Sequence, residues 1–166
     1  MSHLVIRSVE PSDVPRVNAI YNTYIVDSHV SFDLEAWTED ARAQWISDKT
    51  DAGYPVFVAE IDDLVVGAAW AGPWRDKDAY AGSVETTVVF DAEYTGAGTG
   101  TVLYADLLKE LESKEFHRAY AIIALPNDAS VALHRKLGYR DIGVLDEVGF
   151  KDGEYISTLL MERELA

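Results

Sequence analysis

The chain has 166 residues, 48% of them hydrophobic and 11% aromatic, enough to close a sizeable core, and residues 1–166 read as one domain. With 14 basic against 29 acidic residues the formal net charge is −15, a field that repels the phosphates of nucleic acid and anionic membrane surfaces. Zero cysteines and four scattered histidines leave neither a disulfide framework nor a ligand set at helical spacing, so no metal is expected.

No run of eighteen apolar residues and no basic, apolar leader pattern occurs, and a cytoplasmic location is expected. The excess of carboxylates over a few lysines resembles proteins of high-salt cytoplasm, whose acidic surfaces stay hydrated.

In chain order, residues 3–9 alternate as a strand does, and Pro11-Ser12-Asp13 precedes a helical run through Val14, Val17, Ile20, Tyr21 and Tyr24. A second helix is expected over residues 38–51 from Trp37, Ala41, Trp45 and Ile46, with Thr38 as its cap and Gly53 at its end. Residues 55–61 and 64–70 form a hairpin about Asp62-Asp63. A β-branched strand, Ser83–Phe90, then feeds a helix over 98–116 whose stripe is Val102, Leu103, Leu107, Leu108 and Leu111. A strand over 118–125, a helix over 127–137 ended by Gly138, and closing strands over 139–150 and 154–162 complete the chain. The order predicts an α/β (α+β) fold, a mixed sheet of about seven strands with about four helices on both faces.

Two segments carry chemistry. Thr95-Gly96-Ala97-Gly98-Thr99-Gly100-Thr101 opens a helix with small residues, so that backbone N–H groups and the helix dipole can hold phosphate oxygens. It is no Walker loop, because no Gly-Lys-Ser/Thr follows, and alone it is compatible with a plain tight turn. In the second segment Asn127 is a good N-cap, and Ser130, His134 and Leu137 recur on one side of the helix.

Taken together the two segments resemble the GNAT superfamily of N-acetyltransferases. Gly98 and Gly100 match its pyrophosphate-loop motif, and Asn127 to Tyr139 matches its Asn-x-x-Ser/Ala-x-x-Leu-Tyr/His-x-x-Leu-Gly-Phe/Tyr motif. More narrowly, Ala71-Gly72-Pro73-Trp74, Ala79-Tyr80, Val84-Glu85, Leu103-Tyr104, Leu107-Leu108-Lys109, Leu125-Pro126-Asn127-Asp128 and Gly149-Phe150-Lys151 resemble the phosphinothricin acetyltransferases in order and spacing. At the head of the loop stands Thr95, where the family usually has Gln or Arg.

The resemblance implies acetyl-CoA as cosubstrate, lying between two splayed strands, with its pyrophosphate on residues 95–101. It implies a main-chain donor among Val88, Val89 and Phe90 for the acetyl oxygen, and Asn127 and Ser130 beside the cofactor. Transfer to an amine needs a base, because only the free amine attacks a thioester, and a donor for the departing thiolate. The resemblance points to Glu85 as the base; His134 could be the general acid or merely orient the thioester. Arg75 and Lys77, with Trp74, Tyr80 and Phe32, would receive an anionic amino acid such as phosphinothricin or methionine sulfoximine, and a homodimer is implied. The rivals are acetylation of another small amine or a protein N-terminus, and a non-catalytic acyl-CoA-binding module.

Overall fold

A computed structural model describes residues 3–166. The strands are β1 (Leu4–Ser8), β2 (Val56–Ile61), β3 (Leu64–Pro73), β4 (Ser83–Phe90), β5 (Arg118–Ala124), β6 (Arg140–Lys151) and β7 (Glu154–Glu164). The helices are α1 (Val14–Val26), α2 (Glu39–Asp51), α3 (Thr99–Ser113) and α4 (Asp128–Lys136). All seven strands join one sheet in the order β1-β2-β3-β4-β5-β7-β6, antiparallel throughout except for the parallel pair β4 and β5. This is the expected mixed sheet.

Local chemistry sets the boundaries. Asp62 and Asp63 both take positive φ, 49° and 66°, the backbone that a two-residue turn between right-twisted strands requires and that Asp tolerates. The Thr38 side chain accepts from Ala41 N–H to cap α2, Asn127 does the same for α4 from Ser130 N–H, and Gly138 at φ 85° terminates α4. β3 runs past Trp70 to Pro73, because Ala71, Gly72 and Pro73 pair with Thr86, Glu85 and Val84.

Period-two alternation divides the core. Ala68 and Trp70, with Val89 of β4 beside them, point towards α1 and α2, where Val17, Ile20 and Ile46 meet them; Ala69 and Ala71 point towards Leu103, Leu107, Leu108 and Leu111 of α3. Two expected stripe positions differ. Val102 is exposed, and Tyr104 takes its place in the buried stripe of α3. On α2, Ala41 faces solvent and the inner stripe is Arg42, Trp45, Ile46 and Lys49, so the helix presents cations at both ends of its apolar face. Arg42 is 1% exposed and lies 4.3, 4.2 and 4.9 Å from the ring centres of Tyr21, Trp37 and Trp45.

Candidate active site

The site begins where the sheet forks. β4 and β5 pair only over Ser83–Glu85 against residues 118–120, while β4 stays on β3 to the Phe90–Gly67 pair and β5 stays on β7 to the Ala124–Thr158 pair. At the apex Thr86 Oγ1 donates to the Tyr120 carbonyl at 3.1 Å, satisfying an acceptor at the end of the pairing. Beyond it lies a wedge with about 520 Å³ of empty space, walled by Thr86 to Val89 of β4 and Ala121 to Ala124 of β5, with Ser130 and His134 of α4 behind.

At the mouth of the wedge a second cavity of about 980 Å³ is lined by Val88, Phe90, Thr95, Gly96, Gly98, Gly100, Thr101, Asn127 and Ser130. Gly96 and Gly98 take φ of 88° and 82°, which turns the chain sharply into α3. The N–H groups of residues 96–100 have no acceptor within the described residues, as the first turn of a helix leaves them. Ala97 does not line either cavity, and Thr99 is buried in the first turn of α3. The Phe90 ring fills the space a side chain would take at Gly67, and a Cβ at Gly100 would come within 3.3 Å of it. Those two glycines let the end of β4 pack against the start of α3. Lys136 Nζ lies 3.4 Å from Thr101 Oγ1 and brings a cation to a loop whose own residues carry none.

Beneath the apex is a buried polar cluster. His134 Nδ1 is 2.7 Å from the Ser130 carbonyl, an acceptor only, so Nδ1 carries the proton and Nε2 accepts from the Tyr104 hydroxyl at 3.0 Å. Thr86 Oγ1 is 2.7 Å from both Tyr104 and Tyr139 hydroxyls. With Tyr104 donating to His134, Thr86 to the Tyr120 carbonyl and Tyr139 to Thr86, each hydroxyl proton is used once and the Thr86–Tyr104 contact has no proton of its own. Burial pushes the His134 pKa down despite the Ser130 bond, and so favours the neutral ring. Tyr24 closes the far end of β4, accepting the Phe90 N–H at 3.2 Å and donating to the Phe90 carbonyl at 2.7 Å.

On the α1–α2 side two further clefts open. One, of about 810 Å³, is lined by Tyr21, Phe32, Asp33, Glu85, Thr87, Ile122 and Thr158; the other, of about 390 Å³, by Lys49, Trp70, Gly72, Pro73, Glu85 and Thr87. Burial pushes the Glu85 carboxyl above its ordinary value, while Arg75 and Lys49 pull it back. Thr158 Oγ1 is a buried hydroxyl with no hydrogen-bond partner among the described residues, in the wall of the larger cleft. Phe32 is held over Gly149, whose missing side chain gives its ring room. Its loop is pinned by Lys151, buried, which donates to the carbonyls of Ile25, Ser28 and Ser31 at 2.6, 2.9 and 2.7 Å.

Residues 17–139 match the model of the acetyltransferase (GNAT) family. The chain belongs to that family. It is 40% identical over 156 residues to a phosphinothricin N-acetyltransferase of Streptomyces coelicolor, covering 92% of this chain and 91% of that protein. It is 30% identical over 161 residues to an L-methionine sulfoximine/L-methionine sulfone acetyltransferase of Pseudomonas aeruginosa, covering 96% and 94%. Among solved structures, a phosphinothricin acetyltransferase from Sinorhizobium meliloti in complex with AcCoA superposes with a TM-score of 0.95 at 29% identity, covering 98% of this chain and 89% of that one.

Within this acetyltransferase the expected site residues divide. Glu85, His134, Val88, Val89, Phe90, Asn127 and Ser130, with Thr95, Gly96, Gly98, Gly100 and Thr101, line the fork and its adjoining cavities. Phe32 joins them from the 27–38 loop. Trp74 stacks on Tyr120 at 4.4 Å, and Arg75 lies over the Trp74 ring at 3.9 Å, close enough to Glu85 to affect its charge. Lys77 and Tyr80 are exposed and line none of these cavities. Not foreseen were Thr86, on the face of β4 opposite Glu85, Tyr104 of α3 and Tyr139, whose hydroxyls meet it there, and Lys49, whose signal is its i, i+4, i+7 spacing from Trp45 and Arg42. Among the described residues no group of three or more His, Asp or Glu is placed to hold a metal ion, and no helix is long and apolar enough to cross a membrane.

Proposed function

We propose that this protein transfers the acetyl group of acetyl-CoA to the α-amino group of a small amino acid such as phosphinothricin or methionine sulfoximine. The observation that carries this reading is the continuity of the cavities. The loop cavity and the wedge share Val88, Asn127 and Ser130, and the wedge and the acceptor cleft share Tyr21, Thr87 and Ile122. A path thus runs from the free N–H groups of residues 96–100 to Glu85.

The donor set suits the cofactor: unpaired amides at a helix start fit a diphosphate, and open strand edges fit the amides of a pantetheine arm. Acetyl-CoA supplies the activated acyl carbon. Glu85, held partly desolvated with a raised pKa, takes a proton from the incoming ammonium directly or through a water; as the C–S bond breaks, the second proton shed by the acylated nitrogen goes to the departing sulfur, leaving the N-acetyl amino acid and the CoA thiol. Because Tyr24 occupies the Phe90 N–H and the Val89 N–H is turned to β3, the main-chain donor to the acetyl oxygen falls to Val88, which faces the fork on the same side as Phe90. His134, neutral and bonded at both nitrogens, serves to orient the thioester end of the wedge. Phe32 walls the acceptor side, and Arg75, held over the Trp74 ring, adds positive charge near Glu85.

The names of the related phosphinothricin and methionine sulfoximine enzymes support the acceptor class. The test is thiol release from acetyl-CoA with a panel of amino acids, non-acidic amines and N-terminal peptides. Turnover confined to amino acids is expected, and turnover of peptides alone would contradict the reading.

The same reading extends to the whole chain as one cytoplasmic domain that works as a homodimer. The edge strand β6 exposes Ile142, Val144, Leu145, Val148 and Phe150, an apolar row suited to a second copy. The net charge of −15 suits a high-salt interior.

A further inference from the structure

We propose that Lys49 determines acceptor specificity: its ammonium binds the carboxylate of the acceptor while Glu85 faces the amino nitrogen, so the site selects α-amino acids over amines that lack a neighbouring anion. The proposal rests on the amino-acid reading above and assigns the carboxylate to α2, not to the loop that carries Arg75 and Lys77.

The placement follows from strand register. Gly72 is the direct cross-strand partner of Glu85, so the two share a face, and their Cβ positions would be about 5 Å apart. Gly72 has no side chain, and Lys49 Nζ lies 2.5 Å from where its Cβ would stand. The ammonium therefore fills the place beside Glu85 that a side chain would otherwise occupy. Lys49 and Glu85 line the same small cleft, of about 390 Å³, and feel each other's charge, yet no salt bridge within 4.0 Å joins them. One of the three ammonium protons points to the Ala71 carbonyl at 3.4 Å, and the Trp45 ring lies 4.9 Å from Nζ. Two donors remain for a ligand.

A half-buried cation and a half-buried carboxylate facing the same gap, unpaired, form a dipole whose complement is a zwitterion with adjacent charges of opposite order. An α-amino acid has that pattern. Arg75 does not supply this end: its guanidinium is folded over its own Trp74 ring and donates to the Trp74 carbonyl at 2.9 Å, in an exposed position. It stays available for a second anionic group further out on the acceptor.

The experiment measures calorimetric binding of phosphinothricin and of its α-carboxamide to the CoA-bound protein, in wild type, Lys49→Met, Lys49→Arg and Gly72→Ala. One charge-assisted contact predicts that the wild type prefers the acid over the amide by on the order of tenfold to a hundredfold. Lys49→Met should erase that preference with CoA affinity unchanged, which also reports an intact fold. Lys49→Arg should keep most of it, and Gly72→Ala, which displaces the ammonium without removing it, should reduce it. A preference that survives Lys49→Met, or acid and amide weakened equally, would overturn the proposal. Intact discrimination without turnover of any amino acid would instead contradict the proposed reaction.

Discussion

At Glu85 the sheet register and the burial act together: the strand puts the carboxylate on the α1–α2 face, next to the fork, and partial desolvation raises its proton affinity above that of an ordinary glutamate, the direction a base needs. Glu85→Gln should lower kcat by about 10² or more with acetyl-CoA KM unchanged, checked by steady-state kinetics. The acid limb of the wild-type rate profile, set by loss of the carboxylate as pH falls, should lie above the ordinary glutamate range and be absent from the variant. His134 makes an opposite kind of prediction. Its folded pKa is lowered by burial, so the unfolded chain binds the extra proton more readily, and the stability this gives is held above the ordinary value of 6.5. It is lost as pH falls from there through the lowered folded value. Thermal melts between pH 8 and roughly 5 should show this fall, and a melt midpoint in His134→Gln that is as steep in pH would assign it elsewhere.

Among elements, the turn into α3 is where backbone conformation and binding meet. Gly98 sits at φ 82° with nothing within 4 Å of a would-be Cβ, so Gly98→Ala introduces strain of about 1–2 kcal/mol without a clash. The expected result is a several-fold higher acetyl-CoA KM at nearly constant acceptor KM, measured by initial rates. Much of this level was legible beforehand: caps at Thr38 and Asn127, the terminating Gly138 and the glycine turn are local signals, written in neighbouring residues. What stayed hidden was long-range. Tyr104 lies outside the stripe expected for α3, and only packing brings its hydroxyl to Thr86, Tyr139 and His134. Lys49 reads as a solvated helix end until the register of β3 and β4 sets it beside Glu85. Lys151 likewise gives no local hint that it will tie down three carbonyls more than a hundred residues away.

For the whole molecule, the sheet order makes β6 an edge, and its exposed apolar row is the face on which a homodimer is proposed. Val144→Lys with Val148→Lys should convert a dimer to a monomer in sedimentation analysis; a wild type already monomeric at micromolar concentration would remove the dimer from the account. The fork is the feature on which everything else depends: two half-sheets that part after Glu85, with free amides at one end and the carboxylate at the other. Its most direct test is an NMR titration of the backbone amides with CoA. The largest shifts are expected at residues 96–100, 88–90 and 121–124, with saturation at one equivalent. Shifts centred on any other part of the chain, or none in the 96–100 turn, would contradict the fork as the CoA site.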